Sequence, residues 1–234
     1  MIDLKPRPLL IVVSAPSGAG KTTLCERLLA DHPEVRYSIS CTTRRPREGE
    51  VDGKSYHFLS EQEFLLKVEG EEFLEYAQVY GHWYGTLRHT VETMLHHGWN
   101  ALMDVDVQGA ATIREYVSKL EPANPLRRGF VDVFIAAPSF QELERRITVR
   151  GKDAPDVIKR RMLEAHSEMT HSPKYRYLVV NDDLDRAYRA LESIVIAERH
   201  RQPRVTRRVE PGNIIPAGMP GKDRRASRRS FRAR

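Results

Sequence analysis

Apolar residues in this chain gather in short runs separated by stretches of helical spacing. Leu9-Leu-Ile-Val-Val13, five apolar residues after Pro8, is the pattern of a strand covered on both faces. Ala101-Leu-Met-Asp104-Val105, Val131 to Ala137 and Tyr177-Leu-Val-Val180 read as further strands. Between and after them lie helical patterns: Thr22 to about Asp31 with Leu24, Leu28 and Leu29 on one side, Thr90 to His97 closed by Gly98, Gln108 to about Val117, and Leu184 to about Arg199. Strands alternating with helices predict an α/β fold, a parallel sheet with helices on both faces.

Two blocks interrupt the alternation. From Tyr37 to Leu59 the chain is turn-rich and alternating, which predicts short antiparallel strands. Ser60-Glu-Gln-Glu63 is a capping box opening a helix with Phe64, Leu65 and Val68 on its apolar side, and Phe73-Leu-Glu-Tyr-Ala77 is a strand with a carboxylate in its middle. The second block, Pro138 to Thr170, is an arginine-rich helical hairpin that starts with another capping box, Ser139-Phe-Gln-Glu142, and reaches Arg150. Its second helix follows Gly151-Lys-Asp-Ala-Pro155 and runs to about Met169. Ser118 to Gly129, with two prolines and an arginine pair, predicts an exposed connection, and no internal repeat is visible.

The first strand runs into Ser14-Ala15-Pro16-Ser17-Gly18-Ala19-Gly20-Lys21-Thr22-Thr23. Small residues here let backbone N–H groups turn inward around phosphate oxygens, and the following helix aims its positive end at the same point. This is a P-loop, with Ala15 to Thr23 as the triphosphate-binding segment, Lys21 reaching the β- and γ-phosphates, and the Thr22 hydroxyl placed for Mg²⁺. The usual pattern opens with glycine where this chain has Ala15, which is tolerable provided φ there is below zero.

Composition narrows the classes. No apolar run approaches the about 20 residues of a membrane span, and Met-Ile-Asp-Leu-Lys-Pro has no secretory apolar core. Two cysteines, Cys25 and Cys41, make no disulfide or metal framework and suit a reducing, cytoplasmic setting, with Cys25 read as a core thiol. The histidines, among them His82, His89 and the pair His96-His97, have no partners at ligand spacing. The net charge of +6 is uneven: residues 201–234 hold eleven Lys/Arg against Glu210 and Asp223, a segment charge of +9 that leaves −3 for the rest. Basicity therefore belongs to the tail, which from about Val205 has the composition of a disordered segment.

The block that decides among P-loop reactions is Ser38-Ile-Ser40-Cys-Thr42-Thr43-Arg44-Arg-Pro-Arg47-Glu-Gly-Glu50, followed by Gly53 and Tyr56-His-Phe58. It closely resembles the acceptor-site pattern of the guanylate kinases: Thr-Thr-Arg, a basic residue three further on, an acid, a glycine, then Tyr-x-aromatic. Matching pieces at Glu75, Tyr84-Gly-Thr86, Asp104, Asp106, Gly109, Arg150-Gly151 and Val180-Asn181-Asp182 extend the resemblance from about Leu9 to Arg199. It implies an ATP:GMP phosphotransferase with residues 1–37, 88–137 and 171–204 as P-loop core, 38–87 as the GMP-binding region, 138–170 as a lid and 205–234 as a basic tail.

The chemistry agrees with that implication. A monophosphate dianion needs several fixed donors, which Arg44 and Arg47 offer as planar forks and Tyr56 and Tyr84 as hydroxyls. Guanine presents N1–H and N2–H₂, both donors, and an ionised Glu75 carboxylate accepts from both. Asp106 and Thr86 are similar to family positions that complete this edge, Thr86 standing where relatives often have serine, and Ser40 can face O6. Asp104, ending an apolar strand, suits Mg²⁺ directly or through water, or else caps the strand end. Lys21, Arg44, Arg146, Arg150 and Arg161 resemble the family's catalytic cations, the last three in the lid, although each lid arginine also has the plainer reading of an ion pair with Glu142, Glu144 or Glu164. Asn181 corresponds to the family's neighbour of the adenine ring.

The expected activity is transfer of the γ-phosphoryl group of Mg²⁺-ATP to GMP in purine nucleotide metabolism and GMP recycling. dGMP is an expected substrate too, since no named contact needs the 2′-hydroxyl. Two rivals stay open on sequence alone: a non-catalytic binding module on the same fold, which an intact P-loop argues against, and a kinase for another monophosphate. The tail permits nonspecific contact with a polyanion such as RNA, or no function. Homo-oligomerisation is left open.

Overall fold

The computed structural model describes residues 6–79, 81–150 and 155–201. The basic tail and the Gly151–Ala154 connection lie outside that range.

The main sheet is parallel throughout. It contains β1 (Leu10–Ser14), β2 (Val35–Tyr37), β7 (Asn100–Asp104), β8 (Phe130–Ala136) and β9 (Tyr177–Val180), in the order β2-β7-β1-β8-β9. Strand β1 lies inside the sheet and every residue in it is buried. Its side chains alternate between two cores. Leu9, Ile11 and Val13 pack with Leu24 and Leu28 of α1 (Lys21–Asp31) and Leu191 and Val195 of α8 (Leu184–Arg199). Leu10 and Val12 pack on the opposite face with Val91 and Leu95 of α3 (Arg88–His96) and Ile113 and Val117 of α4 (Val107–Lys119). Coverage on both faces explains why β1 reads as an unbroken apolar run.

The smaller sheet has the order β4-β3-β6-β5, built from β3 (Cys41–Thr42), β4 (His57–Phe58), β5 (Phe73–Val79) and β6 (His82–Leu87). Helix α2 (Glu61–Glu69) covers it, opened by the expected capping box between Ser60 and Glu63. Phe64 of α2 is fully buried and stacks on Phe73 at 4.4 Å and on Trp83 at 5.9 Å. The antiparallel expectation for residues 37–59 needs correction. β3 pairs antiparallel with β6 but parallel with β4, because the loop 43–56 doubles back through turns at Gly49 (φ 84°) and Gly53 (φ 72°). β2 and β6 lack a clean alternation and had no signal as strands.

The hairpin consists of α6 (Phe140–Arg150) and α7 (Pro155–Met169). It packs on the core beside the P-loop, with Leu143, Ile147 and Ala165 buried in the same cluster as Ala15 and Ala19. Phe140 stacks flat on His166 at 3.8 Å and ties the two helices together. Residues 118–129 correct a second expectation: Pro125–Gly129 forms the short helix α5, with Leu126 and Gly129 buried. Asn124 caps it by accepting from the Leu126 N–H, Pro125 fits the first turn, and Gly129 abuts the Pro8 carbonyl, where a Cβ would stand only 2.8 Å away.

One ionic contact inside the sheet carries weight. Asp132 in β8 is buried and accepts from Arg114 of α4 at 2.8 and 2.6 Å, and from the Arg176 N–H at 3.1 Å. Removing one partner of such a pair leaves a desolvated cation and an unsatisfied N–H. Asp132→Ala should therefore lower the free energy of unfolding by about 3 kcal/mol, read as a shifted urea midpoint at unchanged slope. A loss below about 1 kcal/mol would place the pair among the weak surface contacts.

Candidate functional site

The loop between β1 and α1 is shaped by two glycines in the left-handed region, Gly18 (φ 87°) and Gly20 (φ 93°). Ala15 is not among the described residues with positive φ, so alanine is unstrained where the usual pattern has glycine. Pro16 is buried and its carbonyl accepts from the Ala19 N–H at 3.1 Å, closing the turn, while Ser17 stays exposed. A Cβ on Gly20 would meet Asn181 Nδ2 at 2.2 Å.

Asn181, one residue past β9, is buried and donates from Nδ2 to the Ala19 carbonyl at 2.7 Å. Its own carbonyl accepts from Arg146 Nη2 at 2.9 Å. In this arrangement Asn181 props the loop and links it to the lid.

Lys21, the first residue of α1, forms an ion pair with Asp104 at the end of β7 and donates to the Val105 carbonyl at 3.3 Å. Thr22 is exposed beside it and Thr23 half-buried. The ammonium thus rests on the carboxylate assigned to a metal. The hard oxygens of Asp104 and Thr22 suit Mg²⁺, since a cation there replaces the charge that Lys21 now supplies.

Arg146 donates from Nε to Glu142 Oε1 at 2.7 Å, and Arg145 shares the same carboxylate. Hydrogen bonds from Arg145 and Arg146 hold the Glu142 carboxyl down at about 2. Arg150 ends α6 with its side chain outside the description, and Arg161 lies half-buried on α7. Near the end of α7, the Glu168 carboxylate accepts from the Ser17 backbone N–H. Burial pushes Glu168 up to about 7, with the Lys21 charge opposing and Asp106 and Glu164 adding to the rise. The Glu168 carboxyl thus lies against a backbone donor of the phosphate loop.

The second half of the site lies between the two sheets, around a cavity of about 190 Å³ lined in part by Tyr37, Ser40, Tyr56, Glu75, Tyr84 and Asp106. Arg44 forms a two-pronged contact with Glu50, Nη1 to Oε2 at 3.0 Å and Nη2 to Oε1 at 2.8 Å, and its guanidinium lies 5.5 Å from the centre of the Tyr56 ring. Arg44 also hydrogen-bonds Tyr84, and Tyr56 meets the Tyr84 ring edge-on at 5.9 Å. Glu50 accepts from the Arg47 N–H at 2.7 Å, leaving the Arg47 side chain exposed at the rim. Burial raises the Tyr56 hydroxyl above its ordinary range, keeping it a donor.

At the far wall Glu75 is 7% exposed. A bulge in β5 between Phe73 and Glu75 re-aims it, and Gly85 opposite lets the strands close: a Cβ there would lie 2.8 Å from Tyr76 Cβ. Gly109 leaves room in the same way, since a Cβ would sit 2.9 Å from Glu75 Oε2. Thr86 hydrogen-bonds Glu75 and shares a 3.1 Å contact with Ser40. Asp106 caps α4 by accepting from the Gly109 N–H at 2.7 Å and adds its charge beside Glu75. Burial above all, and Asp106 next, push Glu75 up to about 7 against the Thr86 hydrogen bonds. Burial thus moves Glu75, expected to be ionised, toward neutral pH.

Of the expected acceptor residues, Ser40, Tyr56, Glu75, Tyr84 and Asp106 line one cavity together with Asp104; Thr86 adjoins it through Ser40, Arg44 lies against the Tyr56 ring, and the Arg47 side chain is exposed. Tyr37 and Glu168 were not read as site residues, and Glu50 was read only as the acid of a pattern. Tyr37 had a faint signal, as a polar aromatic at a strand end. Glu168 had none, because its role depends on how α7 docks on the loop.

Comparison with known proteins agrees over nearly the whole described chain. The family model for guanylate kinase matches residues 7–198. The guanylate kinase of Clostridium perfringens (strain 13 / Type A) is 43% identical over 199 residues, covering 85% of this chain and 88% of the relative. That of Alkalilimnicola ehrlichii is 47% identical over 195 residues, covering 83% and 91%. A crystal structure of guanylate kinase from Anaplasma phagocytophilum aligns with a TM-score of 0.66 at 30% identity, covering 87% of this chain and 92% of that one.

The raised Glu75 pKa has a definite sign for stability. An acid whose folded value exceeds its unfolded value adds no penalty below the unfolded value. The penalty grows as pH rises toward about 7 and is complete above it. For this group it amounts to roughly 2–3 kcal/mol between pH 5 and 8. Glu75→Gln should therefore gain stability relative to the parent chain at pH 8 and lose most of that advantage at pH 5, in urea unfolding at both values. A difference independent of pH would show that Glu75 is not titrating in this range, and the difference also cancels the parallel contribution of Glu168.

Proposed function

The chain belongs to the guanylate kinase family, so it is an ATP:GMP phosphotransferase, and we propose that the two adjoining sites described above hold ATP and GMP end to end for direct transfer of the γ-phosphoryl group. The observation that carries this reading is the buried Glu75 carboxylate facing a cavity beside the P-loop. Its two oxygens match the N1–H and N2–H₂ of guanine, and adenine would set an acceptor nitrogen against it. Ser40 and Thr86 complete the base edge, and Asp106 fixes the wall behind it.

On this reading the monophosphate is received by Arg44, Arg47, Tyr56 and Tyr84, with Glu50 orienting Arg44 by its two-pronged contact. The triphosphate lies on Ala15 to Thr23, and Asn181 holds that loop from beneath. Lys21 leaves Asp104 for the β- and γ-phosphates, and Glu168 yields the Ser17 N–H to a phosphate oxygen. Asp104 and Thr22 would hold Mg²⁺, which supplies charge neutralisation on the phosphates. Arg146, Arg150 and Arg161 stabilise the equatorial oxygens of the transferring group, so catalysis rests on positioning and charge rather than a covalent intermediate.

The units 38–87 and 138–170 are proposed to close over the core of 1–37, 88–137 and 171–204, excluding water from the γ-phosphate. Acceptance of dGMP, a role in purine nucleotide metabolism and GMP recycling, and a cytoplasmic location complete the proposal. No helix among the described residues is long and apolar enough to cross a membrane.

A coupled assay of ADP formation with GMP, dGMP, AMP and UMP tests the reading. GMP and dGMP should turn over at comparable rates, AMP and UMP at least about 10³-fold more slowly. Glu75→Gln should cut kcat/KM for GMP by about 10²-fold while leaving the ATP KM within a few-fold. Equal use of AMP, or an unaffected Glu75→Gln, would refute guanine selection by this carboxylate.

A further inference from the structure

A second, larger cavity lies at the opposite end of the main sheet. It encloses about 730 Å³ and opens beside Pro8, where β1 begins, so it is separated from the P-loop by the length of that strand, roughly 20 Å. Its volume falls within the range of small-molecule sites.

The chemistry of its lining is one-sided. Arg7 from the segment before β1 and Arg128 from α5 both line it, together with His89, His96 and His97 from α3. Glu92 is the one carboxylate among the described lining residues. Arg7 Nε is shielded from solvent and has no hydrogen-bond partner. Among the described residues only Ser38 Oγ and Tyr175 OH share that condition, and neither belongs to a charged group. A buried guanidinium N–H without an acceptor is costly, and a shift of the Arg7 side chain toward an anion bound in the cavity would remove the cost.

Crowding of positive charge points the same way. Burial and the neighbouring Arg7 charge both push the Arg128 guanidinium below its ordinary range. Two guanidiniums within electrostatic reach of each other line one cavity with three imidazoles, and a guanidinium's planar fork suits phosphate oxygens. Pro8, Leu95 and Leu126 supply an apolar floor for an organic body. None of these residues takes part in the nucleotide sites.

We propose that this cavity is a binding site for a small phosphate-bearing anion, distinct from the ATP and GMP sites, with Arg7 and Arg128 as its principal contacts. The probe is pyrophosphate, added to the full-length chain already saturated with GMP and ADP so that the phosphate loop is filled. The readout is the ring C–H resonances of His89, His96 and His97, which report on the cavity and ignore ions gathered elsewhere. Saturable shifts of these three signals are expected. Arg7→Gln and Arg128→Gln, tested separately, should each weaken the apparent affinity about tenfold or more while GMP phosphorylation stays at its parental rate.

Absence of saturable histidine shifts in the millimolar range would overturn the proposal. So would shifts that persist unchanged in both arginine variants, which would place the ion elsewhere. Citrate serves as the competing anion without phosphorus: if it binds as tightly as pyrophosphate, the assignment to phosphate chemistry fails.

Discussion

A carboxylate taken out of water must find a hydrogen-bonded partner or give up its charge, and Glu75 is held at that boundary. The smaller sheet is arranged around it. The bulge in β5 turns the side chain inward, Gly85 and Gly109 clear the space, Thr86 and Ser40 form a hydroxyl pair beside it, and Asp106 adds a like charge from the start of α4. Burial and the Asp106 charge raise the cost of ionising Glu75, and the Thr86 hydrogen bonds lower it. A ligand that presents two adjacent donors relieves that cost, and one that presents an acceptor adds to it. Selectivity and local instability are thus two consequences of one placement.

The cations of the site obey a related rule. Lys21 rests on Asp104, Arg44 on Glu50 and Arg146 on Glu142. These three groups are each already neutralised by an internal acid, which limits repulsion among cations packed around one cleft. Phosphate oxygens therefore exchange for carboxylates already in place, so arrival of ligand costs less desolvation than binding to bare cations would suggest. Glu168 completes the pattern from the other side, as a carboxyl beside a backbone donor of the loop. The lid helices are bound to the loop through Ile147 and Leu143 against Gly18 and through Arg146 on Asn181, so lid position and loop geometry are mechanically joined.

Much of this was legible in the residues. Long apolar runs such as Leu9 to Val13 and well-capped helices such as the one after Ser60 gave elements within a residue or two, because burial on both faces and capping are local properties. The acceptor block and the motifs after it named Ser40, Tyr56, Glu75, Tyr84 and Asp106, which line one cavity. What the sequence withheld depended on long-range packing. The parallel pairing of β3 and β4 follows from the path of a loop, and β2 and β6 are short strands with mixed faces. Helix α5 was hidden by its prolines and arginines, although Asn124-Pro125 is a helix start with a mechanism. The place of Glu168, the prop made by Asn181, and the raised pKa of Glu75 all arise from contacts between distant segments.

The central claim is that burial moves Glu75 toward neutral pH and that GMP restores its charge. Following the Glu75 side-chain carboxyl carbon by NMR across pH 4 to 9, in the free chain and with saturating GMP, tests it directly. The account expects a midpoint at about 7 in the free chain and a fall of at least about two pH units with GMP bound. A midpoint in the ordinary carboxylate range in the free chain, or one that GMP leaves unmoved, would contradict it.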